Sequence, residues 1–228
     1  MRALITTRDG GVSSGKFASL NLSMRVGDDP RCVARNRAIL RACLPAEPAW
    51  VRQVHGTSVV DAAGATPDAE ADGVVTRNPG EVCVVMTADC LPVLLCDRAG
   101  RSVGVAHAGW RGLAGGIVEN VVQAMGVPPR DIIAYIGPGI AARRYEVGEE
   151  VRTAFVGRDP AAASSFAARQ NGTYLADLYD LARRRLAAAG VTEVYGGEFC
   201  TASEGRFFSF RRDRTTGRMA SLIWLEDS

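Results

Sequence analysis

Three apolar runs follow one another in the middle of the chain with few polar residues between them. They read EVCVVMTADC (81–90), LPVLLCD (91–97) and RSVGVAHA (101–108), and they are rich in valine and leucine. A strand with one solvent-exposed face alternates apolar and polar residues. A nearly continuous apolar run of this length is typical of a strand buried on both faces. The chain therefore has to cover both sides of a central sheet.

Helices and further strands are predicted on either side of these runs. One helix is predicted to start at Pro30, capped by Asp28 or Asp29, and to run to about Leu44. Further helices are predicted over 113–125, from about 145 and over 174–189. Strands are predicted at 3–7, at 50–60 with a break at Gly56, and at 131–140, 191–197, 206–213 and 217–226. The helix over 174–189 carries one apolar stripe, made of Leu175, Leu178, Ala182 and Leu186, and Gly190 ends it.

The order of these elements predicts the fold class. Strands outnumber helices and do not alternate with them regularly, so we expect an α+β fold with mixed sheets and helices packed outside. No internal repeat or long linker divides the sequence, and residues 1–228 are expected to form a single domain.

Composition removes several classes of function. The net charge is only +2, so we expect no nucleic-acid partner, and no apolar run reaches the roughly 20 residues that span a bilayer. The first residues lack the apolar segment of a secretory leader. Six cysteines, none in a CxxC pair, favour reduced thiols and a cytoplasmic location over a disulfide scaffold.

The chain has only two histidines, and both lie where an apolar run meets a glycine-containing turn. They are His55 in QVHG and His107 in VAHAG, and Cys90 ends the run TADC in the same way. Catalytic zinc typically takes three Cys, His or carboxylate ligands and keeps a fourth position open, so these residues are candidate metal ligands and catalytic groups. Two alternatives remain: ordinary hydrogen-bonded histidines near the core, or a metal-free pair with Cys90 as nucleophile and His107 as its base.

Charged residues near these ligands are candidates for binding substrate. Arg111 follows His107 in a glycine turn that leads into a helix, where free N–H groups favour anions. Arg8 lies beside a flexible turn, and Arg211 ends an aromatic run; each could meet an anion. The alternatives are plain turns and, at Arg211, an ion pair with a core carboxylate. Asp89, next to Cys90, is a further candidate.

A resemblance to a known family rests on motifs that span nearly the whole chain. They are TTRDGGVSSGKFASLNLS, RQVHG, TADCLPVLLCD, VGVAHAGWRG, IGPGIAARRYEVG, EFCTASEGRFFSFRRD and TGRMASLIWL. In this order they resemble the YfiH family, also called the polyphenol-oxidase or laccase-domain family. The resemblance implies a single α/β/β/α sandwich and a zinc ion held by His55, Cys90 and His107.

The same resemblance implies several activities. Relatives are described as purine nucleoside phosphorylases that act on adenosine, inosine and methylthioadenosine with phosphate, with adenosine deaminase activity besides. Family work also describes an amide hydrolase that edits L-serine out of peptidoglycan precursors. The older label, multicopper laccase, requires a blue-copper site and a histidine-rich cluster, which two histidines cannot supply. Copper in the single site, with slow phenol oxidation, stays open because copper outcompetes zinc for such ligands.

The residues assign roles to these activities only in outline. For phosphorolysis, Arg111 and its turn would hold phosphate, and the metal would act as a Lewis acid. Deamination would need a metal-activated water and a proton-carrying carboxylate, for which Asp89 and Glu146 are the candidates. A non-enzymatic reading, with a structural zinc, fits poorly because structural sites usually have four ligands.

Overall fold

Two mixed β-sheets form the centre of the molecule, and the computed structural model describes residues 1–226. The strands are β1 (Arg2–Ile5), β2 (Pro48–Ala49), β3 (Val59–Asp61), β4 (Gly73–Thr76), β5 (Val82–Thr87), β6 (Leu91–Asp97), β7 (Val103–Ala108), β8 (Ile132–Ile136), β9 (Glu146–Val147), β10 (Phe166–Ala168), β11 (Tyr174–Ala176), β12 (Glu193–Gly196) and β13 (Met219–Trp224). The helices are α1 (Pro30–Arg41), α2 (Trp110–Gly115), α3 (Ile117–Met125), α4 (Glu149–Val156), α5 (Leu178–Ala188) and α6 (Phe210–Asp213).

The larger sheet has six strands in the order β12-β8-β6-β7-β4-β3, and the smaller has four in the order β1-β13-β5-β2. Each sheet combines parallel and antiparallel pairs: β3 runs parallel to β4, for example, while β6 runs antiparallel to β7. A third sheet, β10-β11-β9, has three short strands. The predicted mixed sheets are therefore confirmed.

The two sheets pack face to face and are covered by helices on their outer sides. Leu94 and Val105 of the larger sheet meet Ile223 of the smaller one in the layer between them. Helices α2 to α5 cover the outer face of the larger sheet, and α1 covers the smaller sheet through Leu40. This is the expected α/β/β/α sandwich, and it explains why the three central runs are apolar throughout: their strands are covered on both faces.

The helix predictions are confirmed in position and corrected in their bounds. Asp29 caps α1 by accepting a hydrogen bond from the Arg31 N–H, but the helix ends at Arg41 rather than near Leu44. The apolar region 113–125 forms two helices, because Gly116 takes a left-handed conformation (φ 110°) between α2 and α3. Leu175 lies in β11, ahead of the Asp177 cap, so it is not part of the α5 stripe.

Two strand predictions are wrong. Residues 50–58 are irregular except for a single bridge between Arg52 and Glu70, because the N–H groups of residues 54–56 bind the Asp72 carboxylate instead of a neighbouring strand. The aromatic run 206–213 ends in the short helix α6, which Ser209 caps by accepting from the Arg212 N–H. Within residues 1–226, no helix has the length and apolar character needed to cross a bilayer.

Candidate metal centre

His107 is held by the regular part of the larger sheet. It lies one residue from the end of β7, opposite Pro92 of β6, and is only 3% exposed. Its backbone N–H donates to the Asp72 carbonyl (2.7 Å), and its Nδ1 lies 2.7 Å from Asp72 Oδ1. A carboxylate on Nδ1 fixes the tautomer and leaves Nε2 as the free ligand atom.

Cys90 lies in the tight connection between β5 and β6, next to His107 at the same sheet edge. The preceding residue, Asp89, has a positive φ of 96°, a conformation unusual for a residue with a side chain. Its carboxylate accepts hydrogen bonds from the Thr201 hydroxyl and the Arg211 N–H, both at 2.6 Å. These bonds tie the connection to the C-terminal part of the chain and fix the position of Cys90.

His55 comes from the irregular segment and is exposed. Its φ is 60°, and the backbone around it is held by one buried carboxylate, that of Asp72. The N–H groups of Val54, His55 and Gly56 donate to Asp72 at 3.1, 3.0 and 2.7 Å. Asp72 therefore positions both histidines, one through its ring and the other through its backbone.

The three predicted ligands converge. The ligand atoms of His55, Cys90 and His107 lie within 4.8 Å of one another, and the two imidazole rings are 4.7 Å apart at 72°. Gly109 leaves room for this arrangement, since a Cβ at that position would lie 2.9 Å from His55 Cδ2 and 3.0 Å from Cys90 Sγ. A side chain at residue 109 would press against two of the three ligands.

The charges of the group favour a thiolate. Burial alone would raise the pKa of Cys90, but the charges and hydrogen bonds of His107 and His55 outweigh it and lower the pKa to about 6. Burial disfavours protonation of His107, yet Cys90 and Asp72 raise its pKa to about 9. Burial likewise opposes ionisation of Asp72, but the bond from His107 and the backbone N–H groups lower its pKa.

This donor set fits a transition metal. Two imidazoles and one thiolate suit zinc or copper, and three protein ligands are typical of a catalytic rather than a structural zinc. The contact between His107 and Asp72 adds the outer carboxylate that commonly orients a metal-bound histidine. The residues present could therefore hold one such ion, and their chemistry does not decide which.

The three ligands open onto a cavity of about 420 Å³. Its wall combines aromatic, apolar and basic side chains: Ser23, Arg25, Val26, Val51, Gln53, Met86, Thr87, Ala88, Asp89, Ile140, Tyr145, Phe210, Arg211 and Arg218, besides the three ligands. A pocket of this size and mixed lining is typical of a small-molecule site.

The other predicted binding residues fall in different places. Arg211 and Asp89 line the cavity, although the Asp89 carboxylate is occupied by the bonds described above. Arg111 is exposed and lies outside the cavity lining, with its guanidinium 4.4 Å from the Trp110 ring. Arg8 also lies outside it, where it donates to the Ala18 carbonyl.

The sequence does not single out Asp72, Gly109 or Arg218, and it assigns no role to the cavity residues Tyr145 and Phe210. Asp72 lies in ADGVV, where an acidic residue before an apolar strand reads as an ordinary turn. The one sequence feature that could indicate a role for Asp72 is its position directly before Gly73, where β4 begins. Gly109 resembles an ordinary turn glycine, and nothing in TGRMAS distinguishes Arg218 from other arginines of the chain.

Comparison with known proteins agrees with this geometry. A two-sheet sandwich with a His–Cys–His group at the edge of its larger sheet is the class of protein that the fold and site define. Residues 2–226 match the family described as multi-copper polyphenol oxidoreductase laccase. The chain belongs to this laccase-domain family, whose members include the YfiH proteins.

Relatives of known name cover almost the whole chain. The purine nucleoside phosphorylase of Pseudomonas aeruginosa is 51% identical over 229 residues, covering 100% of this chain and 94% of that protein. The purine nucleoside phosphorylase YfiH of Escherichia coli is 50% identical over 227 residues, covering 98% and 93%. A solved Neisseria meningitidis protein superposes with a TM-score of 0.95 at 53% identity, covering 99% and 94% of the two chains.

Proposed function

We propose that this protein is a zinc-dependent purine nucleoside phosphorylase that converts adenosine, inosine or methylthioadenosine and phosphate to the base and ribose 1-phosphate. The observation that carries the proposal is the convergence of His55, Cys90 and His107 on one cavity. The names of relatives that span nearly the whole chain support the substrate class.

The protein's own groups would prepare the site for a nucleoside. Asp72 orients the His107 ring and Cys90 is ionised at neutral pH, whereas His107, whose pKa is about 9 without a metal, would release a proton as zinc binds. When bound, zinc would supply a Lewis acid that polarises a substrate oxygen. The rings of Phe210, which is 50% exposed, and Tyr145 line the cavity and offer surfaces for stacking a purine.

Tyr145 is also the group we assign to the departing base. In phosphorolysis a phosphate oxygen bonds to ribose C1′, the C1′–N9 bond breaks, and its electron pair leaves on the purine, which needs a proton or a hydrogen bond. Burial raises the pKa of the Tyr145 phenol, so it stays protonated and can donate. Glu146, a candidate from the sequence, accepts hydrogen bonds from Thr173 and Asn171 instead.

The test is product formation from inosine with and without phosphate. We expect hypoxanthine and ribose 1-phosphate only when phosphate is present, and we expect Cys90→Ala to lose both bound metal and activity. Cys96→Ser is the matched control, because Cys96 is a half-buried thiol outside the cavity. Base release that does not depend on phosphate would rule out phosphorolysis. Adenosine offered without phosphate tests the accompanying deaminase activity, through formation of inosine.

A second candidate function is favoured by Asp72. Cys90, His107 and Asp72 stand in the order of nucleophile, base and orienting carboxylate that cysteine hydrolases use. Such a triad would attack the amide that links L-serine in a peptidoglycan precursor, forming a thioester and releasing the amine, and water would then regenerate the thiol. Free serine released by the metal-free protein would support this candidate, and its absence would remove it.

We also propose that the protein works in the cytoplasm. All six cysteines are free in the structure. Thiols persist in a reducing compartment, and the buried ones are small core residues here. Labelling of free thiols in protein taken directly from cell fractions would test the location.

A further inference from the structure

Two guanidinium groups line the cavity without a carboxylate at ion-pair distance, although the charges of Asp89 and Cys90 act on one of them, Arg218. Throughout residues 1–226, neither Arg211 nor Arg218 takes part in an ion pair. Arg25, the third arginine of the lining, is paired with Asp68 at 3.2 Å and is half exposed. The positive charge available to a ligand therefore belongs to Arg211 and Arg218.

The backbone around Arg218 is fixed by hydrogen bonds and close packing. Its backbone N–H donates to the buried Asn21 Oδ1 (3.0 Å). The neighbouring Gly217 packs so closely that a Cβ would lie 2.7 Å from the Phe208 ring and 2.9 Å from Asn21. Arg218 Nη1 donates to the Thr216 and Gly217 carbonyls, both at 3.0 Å. Within residues 1–226, the structure gives its Nε and Nη2 no hydrogen-bond partner, so they remain available to a ligand.

A second half-buried arginine shows what a purely structural role looks like. The Arg37 guanidinium lies 3.9 Å from the Trp50 ring and donates to the Leu22 carbonyl, so packing compensates its burial. Burial lowers the pKa of both Arg37 and Arg218, which means that each charge has lost part of its hydration. No ring in residues 1–226 covers Arg218 as Trp50 covers Arg37. An anion bound in the cavity would compensate the Arg218 guanidinium for the hydration that it has lost on burial.

Arg211 lies in α6, seven residues before Arg218, and lines the same cavity. Its backbone N–H is bound to Asp89, beside Cys90, and its Nη1 donates to the Glu146 carbonyl at 2.9 Å. The guanidinium lies 5.2 Å from the Tyr145 ring. Both arginines therefore line the cavity onto which His55, Cys90 and His107 open. A metal held by those three residues would also attract oxyanions.

We propose that Arg218, together with Arg211, forms the phosphate subsite of this cavity. A guanidinium fork matches two phosphate oxygens at once, whereas a point charge does not. This inference rests on the function proposed above, since phosphate is the second substrate of phosphorolysis. It replaces Arg111, the sequence-based candidate, with a residue whose side chain lines the cavity that the three ligands share.

The test measures phosphate binding and phosphate kinetics in the metal-loaded protein. Arg218→Gln should weaken phosphate binding, followed by calorimetry, and raise the KM for phosphate by at least about tenfold, which is about 1.4 kcal/mol. The KM for inosine should change less than the KM for phosphate. Arg218→Lys keeps the charge without the fork and should lie between wild type and Arg218→Gln. Arg37→Gln is the matched control, because Arg37 is also half-buried but lies outside the cavity, and it should leave phosphate affinity unchanged.

The outcomes separate this subsite from the proposed function. Phosphate-dependent cleavage with unchanged phosphate affinity in Arg218→Gln would overturn the subsite and leave the phosphorylase standing; phosphate would then be held by the metal alone. Phosphate binding that depends on Arg218 in a protein that does not cleave inosine would keep the subsite and remove the phosphorylase. Thermal melting of each variant shows that it folds, and Arg218→Lys replaces Arg218→Gln if the latter does not.

Discussion

The two histidines of the metal centre are positioned by different means. His107 lies in β7, where the ladder to β6 and the packing of both sheet faces fix its backbone before any ligand is considered. His55 lies on an exposed, irregular segment, where the N–H groups of residues 54–56 bind one carboxylate instead of a strand. That carboxylate, Asp72, is also the partner of the His107 ring. The sheet therefore places one ligand, and a single buried side chain brings the other to it.

The largest effect is therefore expected at Asp72. In Asp72→Ala the N–H groups around His55 and the ring of His107 lose their acceptor, and unpaired buried polar groups each cost about 1–3 kcal/mol. We expect a loss of at least about 3 kcal/mol in unfolding free energy. Metal affinity should fall by about a hundredfold, the upper end for outer-sphere partners. Urea unfolding and metal competition with a chelator measure the two effects.

The control separates general destabilisation from loss of the metal. Asp97 is an equally buried carboxylate that binds Arg101 at the other end of β6. Asp97→Ala should lower stability and leave metal affinity within about threefold, because it touches neither histidine. Equal metal loss in both variants would show that Asp72 acts only through stability.

Replacing each histidine in turn tests whether the two contribute differently to stability. In His107→Gln the buried Asp72 loses its ring partner, so unfolding of the metal-free protein should cost about 2 kcal/mol less than in wild type. His55 is exposed, and His55→Gln should change the same free energy by no more than about 0.5 kcal/mol. Both variants should lose the metal. If His55→Gln proves as destabilising as His107→Gln, the exposed segment is more firmly packed than its hydrogen bonds indicate.

The same contrast explains what could be predicted from sequence. The strands β6 and β7 and the position of His107 follow from apolar runs, because burial on both faces leaves a nearly continuous apolar stretch. The segment around His55 has no such signature, since its partner, Asp72, is set by a long-range contact between two loops. The strand predicted there is wrong for that reason, and so is the strand predicted over 206–213, where the Ser209 cap decides for a helix.

A substitution at Gly109 tests how closely the exposed segment with His55 packs against the sheet edge that carries Cys90. Its φ of −69° suits any residue, so Gly109→Ala adds no backbone strain and acts only through its Cβ, which would press on His55 and Cys90. We expect metal affinity to fall about tenfold, with little change in the stability of the metal-free protein. Gly64→Ala, whose Cβ would meet nothing within 4 Å, should leave both quantities unchanged. Unchanged metal binding in Gly109→Ala would mean that the exposed segment moves aside freely.

The titration of Cys90 ranks the two histidines. Far-ultraviolet absorbance of the metal-free protein should show a thiolate that forms as the pH rises through about 6, absent in Cys90→Ala. Both histidines favour the thiolate, and His107 contributes more, so His107→Gln should raise the pKa of Cys90 further than His55→Gln does. In His107→Gln the effect of burial on Cys90 outweighs the remaining effect of His55, so the thiolate should form only at alkaline pH. A larger rise in His55→Gln would reverse the ranking and make the exposed histidine the main partner of the thiolate.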